Sequence, residues 1–515
     1  MDRSGKMPHV GIVGAGASGL RCADVLLSRG FKVTILEARN RIGGRICQSN
    51  ELGYTVDIGP NWIHTWDSGD VHPILKLAIE TNTPLHHWNG KQLIYDSSGH
   101  PVPTDKTDRL STLLWEIIEK AFESSSAARD ADGGKSIPAQ ESLWDFVSKE
   151  AAKQLPADEE SQRILVQMCE MWGAYVGEPV WKQSLRFAWM EECCGGEEVF
   201  IASSYAAILK RISKPAREKA EIVLNAKVVT VIAPERSARN SEEVVVLKTE
   251  DGRDYAFDEV VMATPLGWLQ KNMHTTFQPA LPPRLSAAIN NLKLSQLEKV
   301  FVTFPSAFWL DDPDPDPAST STSTSDSGPN SDTFPAYTNW LTPAYAPDTN
   351  PCGWPQELWN LAALSPPNSH PTLLFYLYGD CSRHVVDSVY GTTTSSPSTS
   401  PTSSPTATAF LRAFFSPYYS RLPHYDASLP ECQPTAFLAS AWLKDDLAGN
   451  ASYCNFQVGV EAADQDILAL RAGCGGRGLW FCGEHAAPFE ECGTVAGAYL
   501  SGQGVAERIA AAYGR

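Results

Sequence analysis

The run Gly14-Ala15-Gly16-Ala17-Ser18-Gly19 decides the fold of the first part of the chain. It follows a short apolar run at 9–13 and precedes a helical stretch at 20–27, so it joins a predicted strand to a predicted helix. Gly14 permits the tight turn, Gly16 lets a pyrophosphate approach the backbone, and Gly19 lets the helix pack on the sheet. The helix N-terminus favours an anion. The pattern therefore predicts a Rossmann-type turn that binds a dinucleotide.

Glu37 ends the second β-rich run, Lys32–Leu36, and lies 18 residues after Gly19. A carboxylate at this position accepts hydrogen bonds from ribose hydroxyls and repels a 2′-phosphate. Together with both strands and the helix, it makes dinucleotide binding the preferred interpretation. These residues do not distinguish NAD from FAD.

Composition limits the class of protein and its partners. The 515 residues predict two or three folding units. The formal charge of −18 argues against nucleic acid and favours a cationic ligand. No stretch of about 18 uninterrupted apolar residues occurs, so no membrane span is predicted. The start does not resemble a signal peptide. The 12 cysteines form no CxxC pair, so no metal site is predicted. We expect a cytoplasmic protein.

Further secondary structure and two low-complexity segments can be placed along the chain. Predicted strands lie at 222–224, 228–232, 244–248, 260–263 and 479–482, and predicted helices within 105–170 and at 203–213 and 495–512. The segments 311–331 and 392–408 are rich in Ser, Thr, Pro and Asp. Such segments bury little apolar surface, so we expect both to be mobile surface insertions.

The segment Glu37-Ala38-Arg39-Asn40-Arg41-Ile42-Gly43-Gly44-Arg45 resembles the second signature of the flavin amine oxidase family. The resemblance implies that Arg45 neutralises the pyrophosphate and that Arg39 lies near the adenosine ribose. The alternative is a solvated basic loop, because arginine is common on surfaces. The resemblance favours FAD over NAD.

A second segment, Asp57-Ile58-Gly59-Pro60-Asn61-Trp62-Ile63-His64, is also similar to this family. There the equivalent backbone lies beside the flavin ring, and His64 would lie near the path of the amine. A lone histidine is as often a structural hydrogen-bonding residue, so both interpretations stay open for His64.

The far end resembles the family again. Gly483-Glu484 ends a predicted strand, and a helix that begins near Thr494 would direct free N–H groups at the flavin. Lys299 is expected to contact flavin N5 through a water, and Trp442 and Tyr453 to form an aromatic wall. The resemblance implies these cofactor-binding residues: Gly14, Gly16, Ala17, Ser18, Gly19, Glu37, Ala38, Arg39, Gly44, Arg45, Gly59, Pro60, Asn61, Trp62, Val228, Gly483, Glu484, Thr494 and Val495.

Two departures from the family sharpen the expected chemistry. Members that attach FAD covalently have a cysteine where this chain has Ser452, so FAD is expected to be non-covalent. Thr494 replaces a second tyrosine, as in polyamine-type members, and would contact substrate. Glu191 and Glu192 could hold distal ammonium groups, as could the pair Glu197-Glu198, although a solvated acidic face is an equal alternative.

The expected fold is α/β with α+β features: a two-lobed flavin amine oxidase fold. A Rossmann-type FAD-binding domain would use 1–85, 214–298 and 440–515. A mixed-sheet and helical substrate domain would use 86–213 and 299–439. The expected function is FAD-dependent oxidation of a polyamine or N-acetylpolyamine by hydride transfer to flavin N5, with Lys299, His64, Tyr453 and Trp442 in catalytic positions. The imine would hydrolyse to an aldehyde and an amine, and O₂ would be reduced to H₂O₂.

Other functions remain open at this point. They are a primary-amine or amino-acid oxidase, a biosynthetic amine oxidase acting on another metabolite, and a flavin-binding protein without turnover. An amino-acid oxidase would need a buried arginine for the carboxylate, and none can be placed from the sequence. A histone-lysine demethylase is disfavoured, because the chain length leaves no room for chromatin-reading modules.

Overall fold

The computed structural model describes residues 7–66, 72–88, 90–191, 195–236, 243–310, 334–391 and 404–515. The predicted insertion at 311–331 lies outside these residues, and so do residues 392–403 of the other one. Residues 404–408, expected in that second insertion, instead begin a helix, Pro405–Tyr419. The Ser404 hydroxyl accepts the N–H of Ala407 at 3.1 Å, and Pro405 occupies the first helical position. A Ser-Pro pair therefore starts this helix.

A five-stranded parallel sheet contains the Gly-rich turn. Val13 at the end of one strand pairs with Leu36 at the end of its neighbour, so Gly14 and Glu37 lie side by side at the carboxyl edge. Except for the edge strand Glu221–Val223, the strands are largely buried, which explains their apolar sequences. In spatial order they are β22 (Leu479–Phe481), β13 (Glu259–Met262), β1 (His9–Val13), β2 (Lys32–Leu36) and β9 (Glu221–Val223).

A six-stranded sheet is the second large sheet of the molecule. Alternate residues of its strands face opposite sides: Val300 and Val302 pack in one apolar cluster and Phe301 in another. It is antiparallel except where the strand Tyr337–Trp340 pairs with the strand Gln92–Tyr95. In spatial order its strands are β20 (Ala436–Ala439), β16 (Leu297–Thr303), β19 (Thr372–Tyr378), β18 (Gln356–Asn360), β17 (Tyr337–Trp340) and β7 (Gln92–Tyr95).

Four smaller sheets accompany these two among the described residues. The four-stranded one has the order β12 (Asp254–Phe257), β11 (Val245–Thr249), β10 (Val228–Ile232) and β14 (Phe277–Gln278). The three-stranded one has the order β5 (Trp62–Trp66), β8 (Gly195–Ile201) and β6 (Leu85–His87). Two pairs complete the set: β3 (Gln48–Ser49) with β4 (Val56–Asp57), and β15 (Lys293–Ser295) with β21 (Tyr453–Asn455).

Helices cover both large sheets. Side chains of α1, α7 and α13 share one buried apolar cluster with strands of the parallel sheet, while those of α10 and α11 pack on the six-stranded sheet. The helices are α1 (Ala17–Ser28), α2 (Pro73–Glu80), α3 (Thr104–Asp132), α4 (Leu143–Gln154), α5 (Glu159–Met168), α6 (Met171–Val176), α7 (Ala206–Lys219), α8 (Leu266–Thr276), α9 (Pro283–Asn291), α10 (Gly379–Tyr390), α11 (Pro405–Tyr419), α12 (Ala463–Ala472) and α13 (Val495–Ala512).

The mixed α/β fold class is confirmed. Strand β10 and helix α13 have the bounds predicted from the sequence. The division into domains stays a prediction, and strand β16 crosses its expected boundary between residues 298 and 299. Among the described residues no helix is both long and apolar enough to cross a membrane. The same residues contain no cluster of three or more potential metal ligands.

Candidate active site

A cavity of about 800 Å³ extends from the Gly-rich turn to the six-stranded sheet. Of the predicted site residues, Gly19 packs behind the turn and does not line the cavity, and Glu192 lies outside the described residues. The others line it: Gly14, Gly16, Ala17, Ser18, Glu37, Ala38, Arg39, Gly44, Arg45, Gly59, Pro60, Asn61, Trp62, His64, Glu191, Val228, Lys299, Trp442, Tyr453, Gly483, Glu484, Thr494 and Val495.

The three glycines of the turn meet different constraints. Gly14 has φ +108°, which side-chain-bearing residues rarely adopt. A Cβ on Gly19 would lie 2.1 Å from the Gly14 carbonyl oxygen, so only glycine allows α1 to approach the turn. A Cβ on Gly16 would meet no atom within 4 Å, and Gly16 lines the cavity. The open side of Gly16 thus faces the space that a pyrophosphate would occupy.

Glu37 is buried and held by two backbone donors. One carboxylate oxygen accepts the N–H of Ala15 at 2.8 Å, and the other accepts the N–H of Arg39 at 2.8 Å. One guanidinium nitrogen of Arg39 forms an ion pair with Asp445 and lies 2.8 and 2.9 Å from its two carboxylate oxygens. Glu37 is therefore fixed at the cavity wall, where the pattern predicts the ribose. The ion pair of Arg39 with Asp445 holds the segment after Trp442 against the same wall.

Arg45 and Glu484 form an ion pair at 3.0 Å on the cavity wall. Burial raises the pKa of Glu484, but Arg45 and His485 outweigh it, so the pKa lies below its usual value. The same Arg45 nitrogen donates to the carbonyl oxygen of Ser452 at 2.6 Å. The cavity wall therefore carries an arginine beside a carboxylate that stays ionised.

Thr494 is the N-cap of helix α13. Its hydroxyl accepts the N–H of Gly497 at 2.8 Å and lies 2.9 Å from a carboxylate oxygen of Glu491. The first N–H groups of a helix have no acceptor within the helix, and the cap uses only one of them. Val495, the first helical residue, lines the cavity, so this end of α13 presents N–H donors and a positive dipole there.

These residues fit FAD. A dinucleotide pyrophosphate needs an open glycine at a helix N-terminus, and Gly16 and α1 provide both. The ribose needs a fixed carboxylate, and Glu37 provides it. The flavin ring needs donors for the negative charge that it gains on reduction, and α13 can supply them. The site is that of a flavin-dependent oxidoreductase.

Lys299 lies on strand β16 and is buried against three acceptors. Its ammonium nitrogen donates to the carbonyl oxygens of Asp57 and Gly59 and to Oδ1 of Asn61. Burial lowers the pKa of Lys299 to about 7, although the charges of Asp57 and Glu298 oppose this. Burial also raises the pKa of Asp57 to about 6. Lys299 therefore changes its charge near neutral pH.

Trp442 and Tyr453 are held by backbone carbonyls at the cavity wall. The indole N–H of Trp442 donates to the carbonyl of Ile58 at 3.1 Å, and the Tyr453 hydroxyl donates to that of Tyr175 at 2.7 Å. The Ser452 hydroxyl donates to the carbonyl of Leu297 at 2.8 Å. Both aromatic side chains therefore line the cavity, and their role as an aromatic wall beside the flavin stays a prediction.

His64 is paired with a carboxylate rather than alone. Strands β5 and β8 bring its Nδ1 within 2.5 Å of Glu198. Burial lowers the pKa of His64, but the neighbouring Glu198 carboxylate outweighs burial, so the pKa of His64 is raised overall. Burial raises the pKa of Glu191 to about 7, and Glu191 accepts the N–H of Phe456 at 3.3 Å. Glu197, by contrast, is exposed and lies 2.6 Å from His87.

The structure adds residues to the site that the sequence did not indicate. Glu357 and Tyr376 come from neighbouring strands of the six-stranded sheet, and both line the cavity. Glu119 and Glu123 are exposed carboxylates of α3 that also line it. A Glu at i and i+4 on a predicted helix was the only available signal for this second pair.

The sequence profile of the family described as "Flavin containing amine oxidoreductase" matches residues 17–366 and 425–510. The chain therefore belongs to this family, and its cofactor is FAD.

Among curated relatives, Probable polyamine oxidase 4 of Arabidopsis thaliana is 28% identical over 314 residues, 59% of each chain. Lysine-specific histone demethylase 2 of Homo sapiens is 25% identical over 308 residues, 58% of this chain and 35% of that one. The matched part thus spans well under two thirds of either relative. A solved structure of cyclohexylamine oxidase from Brevibacterium oxydans has the same fold, with a TM-score of 0.68, 18% identity and coverage of 99% and 100%.

Proposed function

We propose that this flavin-dependent amine oxidase oxidises a polyamine or an N-acetylpolyamine at a carbon next to nitrogen. The charge of the cavity lining carries this proposal. On the side away from the pyrophosphate site, Glu119, Glu123, Glu191, Glu198 and Glu357 line the cavity. Burial raises the pKa of Glu191 to about 7 and that of Glu357 to about 8, so a bound cation favours the ionised forms of these two. Among the described residues lining that side, Lys299 is the only lysine or arginine, and burial lowers its pKa to about 7. Such a lining favours a substrate with several positive charges.

The same lining disfavours an amino-acid substrate. A carboxylate in the substrate would need an arginine or another fixed cation beside it. The described residues of the substrate side supply carboxylates instead, and Arg39 and Arg45 lie at the other end, each paired with an acid.

The protein's part in the reaction is to bind, orient and remove protons. The flavin supplies the hydride acceptor. Trp442 and Tyr453 would hold the amine between aromatic faces, which attract cations. Substrate reacts as the neutral amine, and Glu191, whose pKa burial raises to about 7, can accept a proton near neutral pH. The water that hydrolyses the imine to an aldehyde and a shorter amine would lie beside Lys299 and Asn61, with O₂ accepting the electrons as H₂O₂.

The test is anaerobic titration of the purified holoprotein with a panel of amines, followed by admission of air. The panel contains spermine, spermidine, N-acetylspermine, cyclohexylamine, a dimethyl-lysine peptide and an amino acid. We expect spermine or N-acetylspermine to bleach the flavin absorbance most rapidly, and H₂O₂ to form in air. If no amine bleaches it, the chain is a flavin-binding protein without this activity.

Two controls complete the test. Free FAD at the same concentration measures any bleaching that does not need the protein. Denaturation in acid, followed by filtration, should release all flavin, since Ser452 cannot form a thioether. Flavin retained on the denatured chain would contradict non-covalent binding.

A further inference from the structure

A row of three polar side chains crosses the six-stranded sheet. Lys299 on β16 pairs with Tyr376 on β19, and Tyr376 pairs with Glu357 on β18. Directly paired residues of neighbouring strands project from the same face of a sheet, and all three line the cavity. Because neighbouring strands lie about 4.8 Å apart, the backbone of Glu357 lies roughly 10 Å from that of Lys299.

The Glu357 carboxyl is buried, and its hydrogen bonds come from neutral groups. The Tyr337 hydroxyl donates to it at 3.2 Å, and the side chain of Trp359 also donates. The amide of Asn339 in turn donates to the Tyr337 hydroxyl at 3.1 Å, which orients that hydroxyl toward the carboxyl. Burial raises the pKa of Glu357 to about 8. A cation that entered the cavity would restore the ionised form.

Trp359 and three aromatic side chains that pack around its ring line the cavity next to this carboxyl. The Trp359 ring lies 4.5 Å from that of Trp62, 5.4 Å from Tyr337 and 5.9 Å from Trp88, between ring centroids. The indole N–H of Trp62 donates to the Tyr376 hydroxyl at 3.2 Å, which fixes the ring next to the row. Aromatic faces around a carboxylate are a favourable environment for an alkylammonium group.

We propose that Glu357, with Trp62, Trp88, Tyr337 and Trp359, forms a subsite for a second ammonium group of the substrate. This subsite rests on the proposed function, because it presumes that the reacting nitrogen lies near Lys299. Tyr376 separates the two ends of the row, so the subsite selects amines whose second nitrogen is several bonds from the reacting carbon. One carboxylate, that of Glu357, then sets the preference for diamines and polyamines over monoamines.

A purely structural role for Glu357 predicts a different outcome. In that case the carboxyl serves only to accept the hydrogen bonds of Tyr337 and Trp359. Glu357→Gln keeps an acceptor of the same shape and loses the charge, so it separates the two roles. A matched control is Glu116→Gln, which removes one negative charge from an exposed position of α3 that does not line the cavity.

The experiment compares N-butyl-1,4-diaminobutane with dibutylamine, which has the same secondary amine and carbon skeleton without the terminal amino group. Anaerobic stopped-flow measures flavin reduction by each amine, and perturbation of the flavin spectrum measures their Kd. In Glu357→Gln we expect the second-order rate constant of flavin reduction and the affinity for the diamine to fall on the order of 100-fold, with those for dibutylamine nearly unchanged. Glu116→Gln should match the wild type for both.

Equal losses for both amines, or no loss for either, would overturn the subsite. Flavin content and thermal unfolding of each variant separate loss of binding from loss of folding. If neither amine reduces the wild-type flavin, the proposed function fails for these amines. The Kd values then still test the subsite, since weaker diamine binding in Glu357→Gln alone would support it.

Discussion

Lys299 is subject to two opposing influences. Its three oxygen acceptors, from Asp57, Gly59 and Asn61, match the three N–H donors of an ammonium group. Its burial nevertheless lowers its pKa to about 7, and the charges of Asp57 and Glu298 restore only part of the difference. A lysine with these properties can act as a charged group or as a neutral amine within the physiological range.

Lys299→Met tests the role of this charge. Without an ammonium group to stabilise the charge that oxygen gains, reoxidation of the reduced protein by O₂ should slow on the order of 100-fold. In the wild type the same rate should fall as pH rises through about 7, where Lys299 loses its proton. The variant should lack this dependence. Stopped-flow mixing with O₂ measures both, and unchanged reduction and reoxidation rates would remove Lys299 from catalysis.

Glu198→Gln tests the pair with His64. The pKa of His64 is raised above 6.5, so the folded state holds its proton more tightly than the unfolded chain does. The pair therefore stabilises the protein below pH 6.5, and this contribution is lost as pH rises through the folded-state pKa. We expect the substitution to cost about 1 kcal/mol at pH 6 and little at pH 9. Thermal unfolding at both pH values measures this, and an equal loss at both would contradict the pairing.

At the scale of elements, two glycines at the start of α1 serve different purposes: Gly19 is needed for folding and Gly16 for cofactor binding. Gly19→Ala places a methyl group 2.1 Å from the Gly14 carbonyl oxygen, so we expect a lower Tm and little soluble protein. Gly16→Ala meets no atom of the chain within 4 Å, and its methyl group enters the cavity instead. This variant should fold but bind FAD at least about tenfold more weakly. Circular dichroism and the ratio of flavin to protein check both, and full flavin occupancy in Gly16→Ala would contradict the assignment.

Elements whose signals are local could be predicted from the sequence. The turn after β1, the carboxylate after β2 and the start of α13 each depend on a few adjacent residues, and all three lie where expected. The residues 404–408 were misassigned because their composition resembles the preceding segment, although Ser404 and Pro405 are themselves a helix-start signal. Here the local capping chemistry outweighs composition.

Glu357 could not have been found in this way. It lies in Gln-Glu-Leu-Trp-Asn, which carries no motif, and its place in the cavity depends on strand β18 pairing with β19. Single-sequence patterns indicate where strands lie but not which strands become neighbours. The same limit explains why the partner of His64 was missed, since Glu198 reaches it only through the pairing of β5 with β8.

At the scale of the whole molecule, charge should govern how fast substrate arrives. The chain carries a formal charge of −18, and the exposed carboxylates Glu119 and Glu123 line the cavity. We expect kcat/KM for spermine to fall roughly three- to tenfold as ionic strength rises from about 0.05 to 0.5 M, and that for dibutylamine to fall less. Steady-state assays in NaCl measure this. Equal salt dependence for the two amines, or none, would exclude electrostatic steering.

The row across the six-stranded sheet also bears on how this protein can diverge. A shift of β18 by one residue against β19 would turn Glu357 to the opposite face, so the strand register, not a loop, fixes which groups meet the substrate. In the sequence, residues 311–331 fall between β16 and β17, and residues 392–403 fall between α10 and α11. Changes of substrate preference can therefore arise from single substitutions on a constant framework, while the connecting segments change in length and composition.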